Sequence, residues 1–285
     1  MGTNNIRMKF LLSILLLSSA PTAFAQYYYK DIVGTRETNE QMKRFLDNRV
    51  TAVTLTSYNA DGNKSEELRV DQSFNLTERH LSTSTQIGDA DPSVLHSWTD
   101  AQGRVVRTVD TNSANVSTTD YTFNKDGQLE RVFSVSTDSS GRFRQTEEHQ
   151  WTYSNGNVSR MLRIKNGTDT TVVTFKLDER GQVAEEQSQR AGAPADVVYY
   201  YYNDKGFLTD IVRFNERAKR LLPEYMFEYS DAGQVIQRIT VPANNSNYSI
   251  WRYQYDNRGL KVREALFDRN KRLAGKVEYQ YTTGA

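Results

Sequence analysis

Three histidines (His80, His96 and His149) and the adjacent acid pairs Glu66–Glu67, Glu147–Glu148 and Glu185–Glu186 are the residues of this chain that could move protons or hold a metal ion. Imidazole serves as general base or metal ligand, and two carboxylates can flank a bond to be cleaved. Their spacing argues against each use. A metal site needs clustered ligands, or an i,i+4 pair with carboxylate support, whereas the histidines fall in separate segments. Asp89 and Asp91 do not extend into a calcium loop, which requires further acidic positions and a glycine at fixed offsets. Neighbours on an extended strand point to opposite faces, so none of the acid pairs can close on one bond; they read as solvated sheet surface. There is no Gly-x-Ser-x-Gly elbow, no phosphate-cradling glycine loop and no cysteine. The expectation is a non-catalytic protein with no cofactor and no metal.

Aromatic residues are the other chemical resource. Val197-Val-Tyr-Tyr-Tyr-Tyr202 runs straight into Asn203-Asp-Lys-Gly206. On a strand, Tyr199 and Tyr201 share one face, Tyr200 and Tyr202 the other. Farther on, Trp251, Tyr253 and Tyr255 alternate with Arg252 and Gln254. Tyrosine offers a flat apolar body with a polar tip, so Tyr199, Tyr201, Trp251 and Tyr253 are candidates for stacking on a sugar or peptide. The plainer reading of the tyrosine run is a strand covered on both sides where a sheet curls.

These residues sit in a repeat. An aromatic or apolar residue recurs four positions before glycine in Tyr58/Gly62, Phe123/Gly127, Leu177/Gly181, Tyr202/Gly206, Tyr229/Gly233 and Tyr255/Gly259, with looser copies at Trp98/Gly103 and Tyr153/Gly156. Turn formers fill the gap, as in Asp256-Asn-Arg-Gly259, and an apolar side chain returns two residues later, as at Leu129, Val158, Val183 and Leu208. From Gly103 to Gly259 the glycines recur every 24–29 residues, enough for two strands of about eight residues and two short turns. In each turn the Asp or Asn can accept backbone amides, and glycine supplies the left-handed residue that forms a bulge with the returning strand. The spacing predicts an all-β fold: an antiparallel meander of about 16–18 strands in repeats of about 26 residues, with a strongly twisted or curled sheet.

The recurring Tyr-(Asn/Asp)-x-x-Gly, followed by Leu or Val, resembles the YD repeats of RHS-type bacterial proteins. The likeness runs from about residue 50 to 281 as degenerate copies, and it implies a strip of β-hairpins. In the large members such strips spiral into shells around a toxin. Here the period is longer and many copies lack the Tyr-Asp pair, so the shell function is not carried over. A fainter likeness is to MORN-type repeats, which serve as interaction surfaces.

One helix is expected, from about Asn39 to Asp47. Thr38 and Gln41 fit a capping box, and Met42, Phe45 and Leu46 form an apolar side that would cover the first edge of the sheet.

The chain opens with Arg7 and Lys9, an apolar stretch from Phe10 to Leu17 and the small-residue site Ala23-Phe-Ala25. This reads as a secretory signal peptide over residues 1–25, cleaved after Ala25, and too short to span a bilayer. Residues 26–49 then form an N-terminal segment with the helix, and residues 50–285 the repeat domain. Hydrophobic residues make up 37% of the chain, tyrosine numbers 17 and the net charge is +1. That balance supplies no field to draw nucleic acid or anionic lipid. The combined expectation is an exported protein, periplasmic or extracellular, that binds an envelope or extracellular protein or glycan without integral membrane insertion. The alternatives are a carbohydrate-binding module or glycan-acting protein using its Tyr/Trp stripes, and an outer-membrane β-barrel. The latter would need a continuous lipid-facing apolar band, which Gln182–Arg190 and the placement of Asp210 beside Leu208 and Val212 argue against.

Overall fold

A computed structural model describes residues 27–242 and 247–284. The signal-peptide segment lies outside the described residues. Among the described residues one helix, α1 (Lys30–Asp47), precedes eighteen strands. The first nine are β1 (Val50–Asn59), β2 (Lys64–Asn75), β3 (His80–Ile87), β4 (Ser93–Thr99), β5 (Val105–Thr111), β6 (Asn115–Phe123), β7 (Leu129–Asp138), β8 (Arg144–Ser154) and β9 (Asn157–Lys165). The second nine are β10 (Asp169–Leu177), β11 (Val183–Arg190), β12 (Asp196–Tyr202), β13 (Leu208–Asn215), β14 (Arg220–Tyr229), β15 (Val235–Thr240), β16 (Ser249–Tyr255), β17 (Lys261–Phe267) and β18 (Leu273–Thr283). Each strand pairs antiparallel with the next, and β18 returns to pair with β1, Val53 lying opposite Tyr281. The meander is therefore a closed barrel whose described strands leave no free sheet edge, the most complete answer to the edge-strand hazard.

The repeat has a backbone cause. In the turn between β16 and β17, Asp256 Oδ1 accepts the amides of Arg258 and Leu260 at 2.9 Å each, while Gly259 sits at φ +77°. Asn203 Oδ1 accepts Lys205 and Phe207 N–H in the same way. A register shift follows where the strand returns, at Thr122/Phe123, Tyr201/Tyr202 and Gln254/Tyr255 among others. This bulge turns the apolar residue two past the glycine into the lumen, so Leu129, Val158, Val183 and Leu208 are all buried core. It also corrects the expectation that Leu208 and Asp210 share a face: the bulge sends Leu208 inward and leaves Asp210, opposite Tyr201, outside.

The repeat tyrosine has its own task. Tyr153, Tyr202, Tyr229, Tyr255 and Tyr281 donate their hydroxyls to the carbonyls of Leu129, Val183, Leu208, Val235 and Lys261, at 2.7–2.9 Å. Each acceptor is the first residue of the returning strand in the unit before. A tyrosine thus satisfies a carbonyl that the bulge removes from the ladder, and ties one hairpin to its neighbour.

The helix differs from expectation in length and in place. It begins at Lys30, and Thr38 is not its cap: Thr38 Oγ1 bonds back to the Gly34 carbonyl at 2.8 Å, as a mid-helix threonine does. Nor does it cover an edge, since none exists. Its buried stripe, Asp31, Thr35, Thr38, Met42 and Phe45, follows helical spacing. Its partners lie all around the ring: Phe45 meets Phe74 and Tyr281, the Asn39 side chain accepts Val105 N–H at 2.8 Å, and Tyr29, just ahead of the helix, meets Phe175 and Tyr200. Only a segment inside the barrel can touch β2, β5, β10, β12 and β18 together. Leu46 and Arg44 lie against Gly103 and Gly259, two of the glycine turns, so the helix closes the barrel mouth at that end. Eighteen helical residues span roughly 27 Å, enough to cross an eighteen-stranded lumen that otherwise leaves an aqueous channel. Arg36, Glu40 and the Lys43–Asp47 ion pair face outward to water.

Candidate functional site

The helix is fastened to the wall by charge. Glu186, an inward residue of β11 only 1% exposed, accepts the backbone amides of Tyr28 and Tyr29 at 2.8 Å each and the Tyr200 hydroxyl at 2.7 Å. A carboxylate on the free amides of a helix start meets both its hydrogen-bonding and its dipole demand. Burial pushes the Glu186 carboxyl up, against the pull of those donors. Asp31, one turn on, lies 2.5 Å from His149 Nδ1 in β8. His149 Nε2 meets Glu147 at 3.0 Å, and Arg163 of β9 holds the other Glu147 oxygen at 2.6 Å. Burial pulls the His149 pKa down, but the two carboxylates outweigh it and raise the pKa to about 9. Burial likewise opposes ionisation of Glu147, yet His149 and Arg163 hold its pKa near 2. Both imidazole nitrogens are thus occupied by anions, leaving no lone pair to abstract a proton. The constellation is a clasp between plug and wall.

Two further charge groups sit on lumen-facing positions. Arg213 of β13 pairs with Asp196, and with Glu224 at 3.1 Å. Glu264 of β17, with no exposure, takes Lys261 Nζ at 3.2 Å on one oxygen. Beside the helix, Thr38, Gln41, Met42 and Phe45 line a cavity of about 80 Å³ of mixed character, with Gln72, Thr83 and Ser97 as well as Leu55, Leu81 and Leu95 on the wall.

The candidate aromatics do not form one platform. Tyr199 and Tyr201 point outward from β12, Tyr201 being 48% exposed, whereas Tyr200 and Tyr202 face the lumen. Trp251 is buried with the Arg238 guanidinium 5.9 Å from its ring, and Tyr253 lies beneath Lys261 Nζ at 4.8 Å, so both belong to the interior. Adjacent acids do point to opposite faces, but the solvated-surface reading fails for one member of two pairs. Glu186 and Glu147 are inside, while Glu185 and Glu148 stand outside, paired with Lys176 at 2.7 Å and Arg131 at 2.5 Å. Glu186 is detectable only through the bulge-shifted register of β11, which alternation from the turn miscounts by one, whereas Glu147 shares the uninterrupted alternation of His149, Trp151 and Tyr153.

The outer wall carries two other features. Cross-strand ion pairs recur around it: Arg107–Asp120, Arg131–Glu148, Lys176–Glu185 and Arg263–Glu278. Over β12 to β17 apolar rows interrupt them, with Tyr199, Val212 and Pro223 in one and Met226, Ile239, Ile250 and Phe267 in the next. Two histidines that sequence spacing separates also meet here. The β3–β4 hairpin sets His80 Nε2 2.9 Å from His96 Nδ1, and the His80 ring stacks on Trp98 with centroids 4.7 Å apart. Among the described residues no cluster of three or more His, Cys, Asp or Glu side chains has metal-binding geometry, and no helix is long and apolar enough to cross a membrane.

No known protein family matches the sequence, and no curated protein matches it. Solved structures do. A porin-like protein from Bacteroides uniformis is 13% identical over 82% of this chain and 97% of its own, with a TM-score of 0.38. A porin-like protein from Bacteroides vulgatus is 12% identical over 82% of this chain and 98% of its own, with a TM-score of 0.20. The Tc holotoxin pore of Photorhabdus luminescens is 16% identical over 78% of this chain but only 13% of its own, with a TM-score of 0.34.

Proposed function

We propose that this chain is an exported, non-catalytic binding protein of the cell envelope, built as a water-facing barrel stoppered by its own N-terminal helix. One observation carries the reading: ionic side chains project from the outer wall on β5–β8, β10–β11 and β17–β18, as in Arg107–Asp120, Arg131–Glu148, Lys176–Glu185 and Arg263–Glu278. Arginine and lysine on the lipid face of a membrane barrel cost about 2–4 kcal/mol each at the midplane and about 0–1 near the interfaces, aspartate and glutamate less. In water the same pairs are nearly neutral in energy and keep the wall soluble. The helix clasp speaks against steady conduction through the lumen, and both nitrogens of the buried histidine are committed to carboxylates. The partner is a protein or glycan taken on the outer wall, where Tyr201 and Phe214 are exposed and Tyr199 stands half-buried beside Tyr201.

A second reading, an outer-membrane barrel, has its own support. The ring is closed, eighteen strands match the girth of large outer-membrane barrels, and the β12–β17 wall carries apolar rows. Fractionation of native cells separates the two. Release of the full chain by osmotic shock, and its recovery without detergent, are expected. Retention in the membrane pellet after an alkaline carbonate wash, with release only by detergent, would establish the membrane barrel instead.

A further inference from the structure

We propose that His80 and His96 form a divalent copper site on the outer wall of the barrel. The inference is independent of the fractionation outcome, because it rests on the hairpin alone.

The two side chains are diagonal neighbours across β3 and β4: His80 lies opposite Trp98, and His96 opposite Ser82. Both point away from the lumen, which their neighbours Leu81 and Ser97 face. Their near nitrogens are 2.9 Å apart. Each nitrogen can carry either a proton or a lone pair, so this contact uses one shared proton and one lone pair. A divalent ion replaces that proton. Two imidazole nitrogens this close can serve together as ligands of one ion once the proton is displaced, and copper(II) binds such nitrogen sites most tightly among the divalent first-row metals. The rings must turn from their present stacked arrangement to direct both lone pairs at one ion, and water completes the remaining positions.

The surroundings favour a cation over a structural role. Glu78 supplies the nearest negative field. The nearby Arg107 is turned to Asp120 at 3.6 Å, so its charge is partly compensated. Trp98 braces His80 from below and places an indole within quenching distance of the metal.

The test uses the untagged, processed chain and copper(II) alone as probe. Saturable binding of one equivalent is expected, read by the electron paramagnetic resonance signal of nitrogen-ligated copper and by loss of part of the tryptophan emission. His80→Ala and His96→Ala should each weaken binding at least tenfold. Trp98→Phe should abolish most of the quench while the resonance signal persists, which ties the site to this hairpin. Circular dichroism identical to that of the unaltered chain checks that the variants fold, and His96→Gln offers a milder replacement. Absence of saturable binding, or equal affinity in the unaltered chain and both histidine variants, would overturn the site.

Discussion

Asp31, in the first turn of the helix, lies 2.5 Å from His149 in β8, a residue 118 positions away along the chain. This contact fixes where the plug sits, and it sets a pH dependence. His149 is raised to about 9 in the folded protein, burial being outweighed by Asp31 and Glu147, against about 6.5 when unfolded. A raised basic group stabilises fully below its unfolded pKa and loses that contribution as pH climbs through the folded value. Thermal stability should therefore fall between pH 6.5 and 9, by on the order of 1–3 kcal/mol. Glu147, held near 2 in spite of burial, acts at the other end: its contribution stands above about 4.5 and is lost only toward pH 2. Melting temperature against pH for the unaltered chain and for His149→Gln checks this. The variant should lack the loss between pH 6.5 and 9, and an equal slope in both would refute the clasp.

Glu186→Ala should loosen the plug. The change leaves two helix-start amides and the Tyr200 hydroxyl without their acceptor in a dry site, at a cost of about 3 kcal/mol. Glu186→Gln keeps one acceptor oxygen and should lose less than half as much. Limited proteolysis reads the effect directly. Cleavage within residues 27–47 should precede cleavage of the strands in the alanine variant, and simultaneous cleavage throughout would show that the helix is not an independent stopper.

Much of this fold is legible in the sequence, because its local rule is repeated. The Asp/Asn-x-x-Gly turns need a positive φ at glycine, and the strands between them alternate with period two, so strand number and antiparallel order follow from local chemistry alone. Closure does not: β1 meets β18 through pairings such as Val53 with Tyr281, which no local pattern encodes. The helix was half legible. Met42 and Phe45 marked its C-terminal half, but Gly34 and the Tyr27-Tyr-Tyr29 run masked its start, and Thr38 imitated a cap. Glu186 was hidden by the bulge register, and the histidine pair by a hairpin that joins residues sixteen apart.

The tyrosine ladder supplies a graded test of the repeat. Tyr202→Phe, Tyr229→Phe and Tyr255→Phe each remove only the hydroxyl that reaches the preceding bulge carbonyl. Each should destabilise by about 1 kcal/mol, and the separated pair Tyr202 and Tyr255 should add nearly in full. Tyr201→Phe, on the exposed outer face, should change stability by less than about 0.5 kcal/mol. Chemical denaturation measures all four. If Tyr201→Phe costs as much as the ladder variants, the hydroxyl-to-carbonyl bonds are not what joins the hairpins.

Gly233 and Phe207 make the sharpest case, because two costs can be separated there. Gly233 and Gly156 sit at nearly the same backbone angle, φ +78° and +80°. Alanine at either must adopt a left-handed conformation, at about 1–2 kcal/mol. At Gly156 a Cβ meets nothing within 4 Å, but at Gly233 it comes within 2.7 Å of the Phe207 ring. That ring has little freedom to yield, since it stacks on Tyr229 with centroids 4.9 Å apart. Gly233→Ala should therefore cost about 1–2 kcal/mol more than Gly156→Ala. In a Phe207→Ala background the excess should vanish, leaving the conformational cost alone. A double-mutant cycle by chemical denaturation checks it. If the excess survives removal of the ring, adjoining repeats are not packed turn against turn through Phe207.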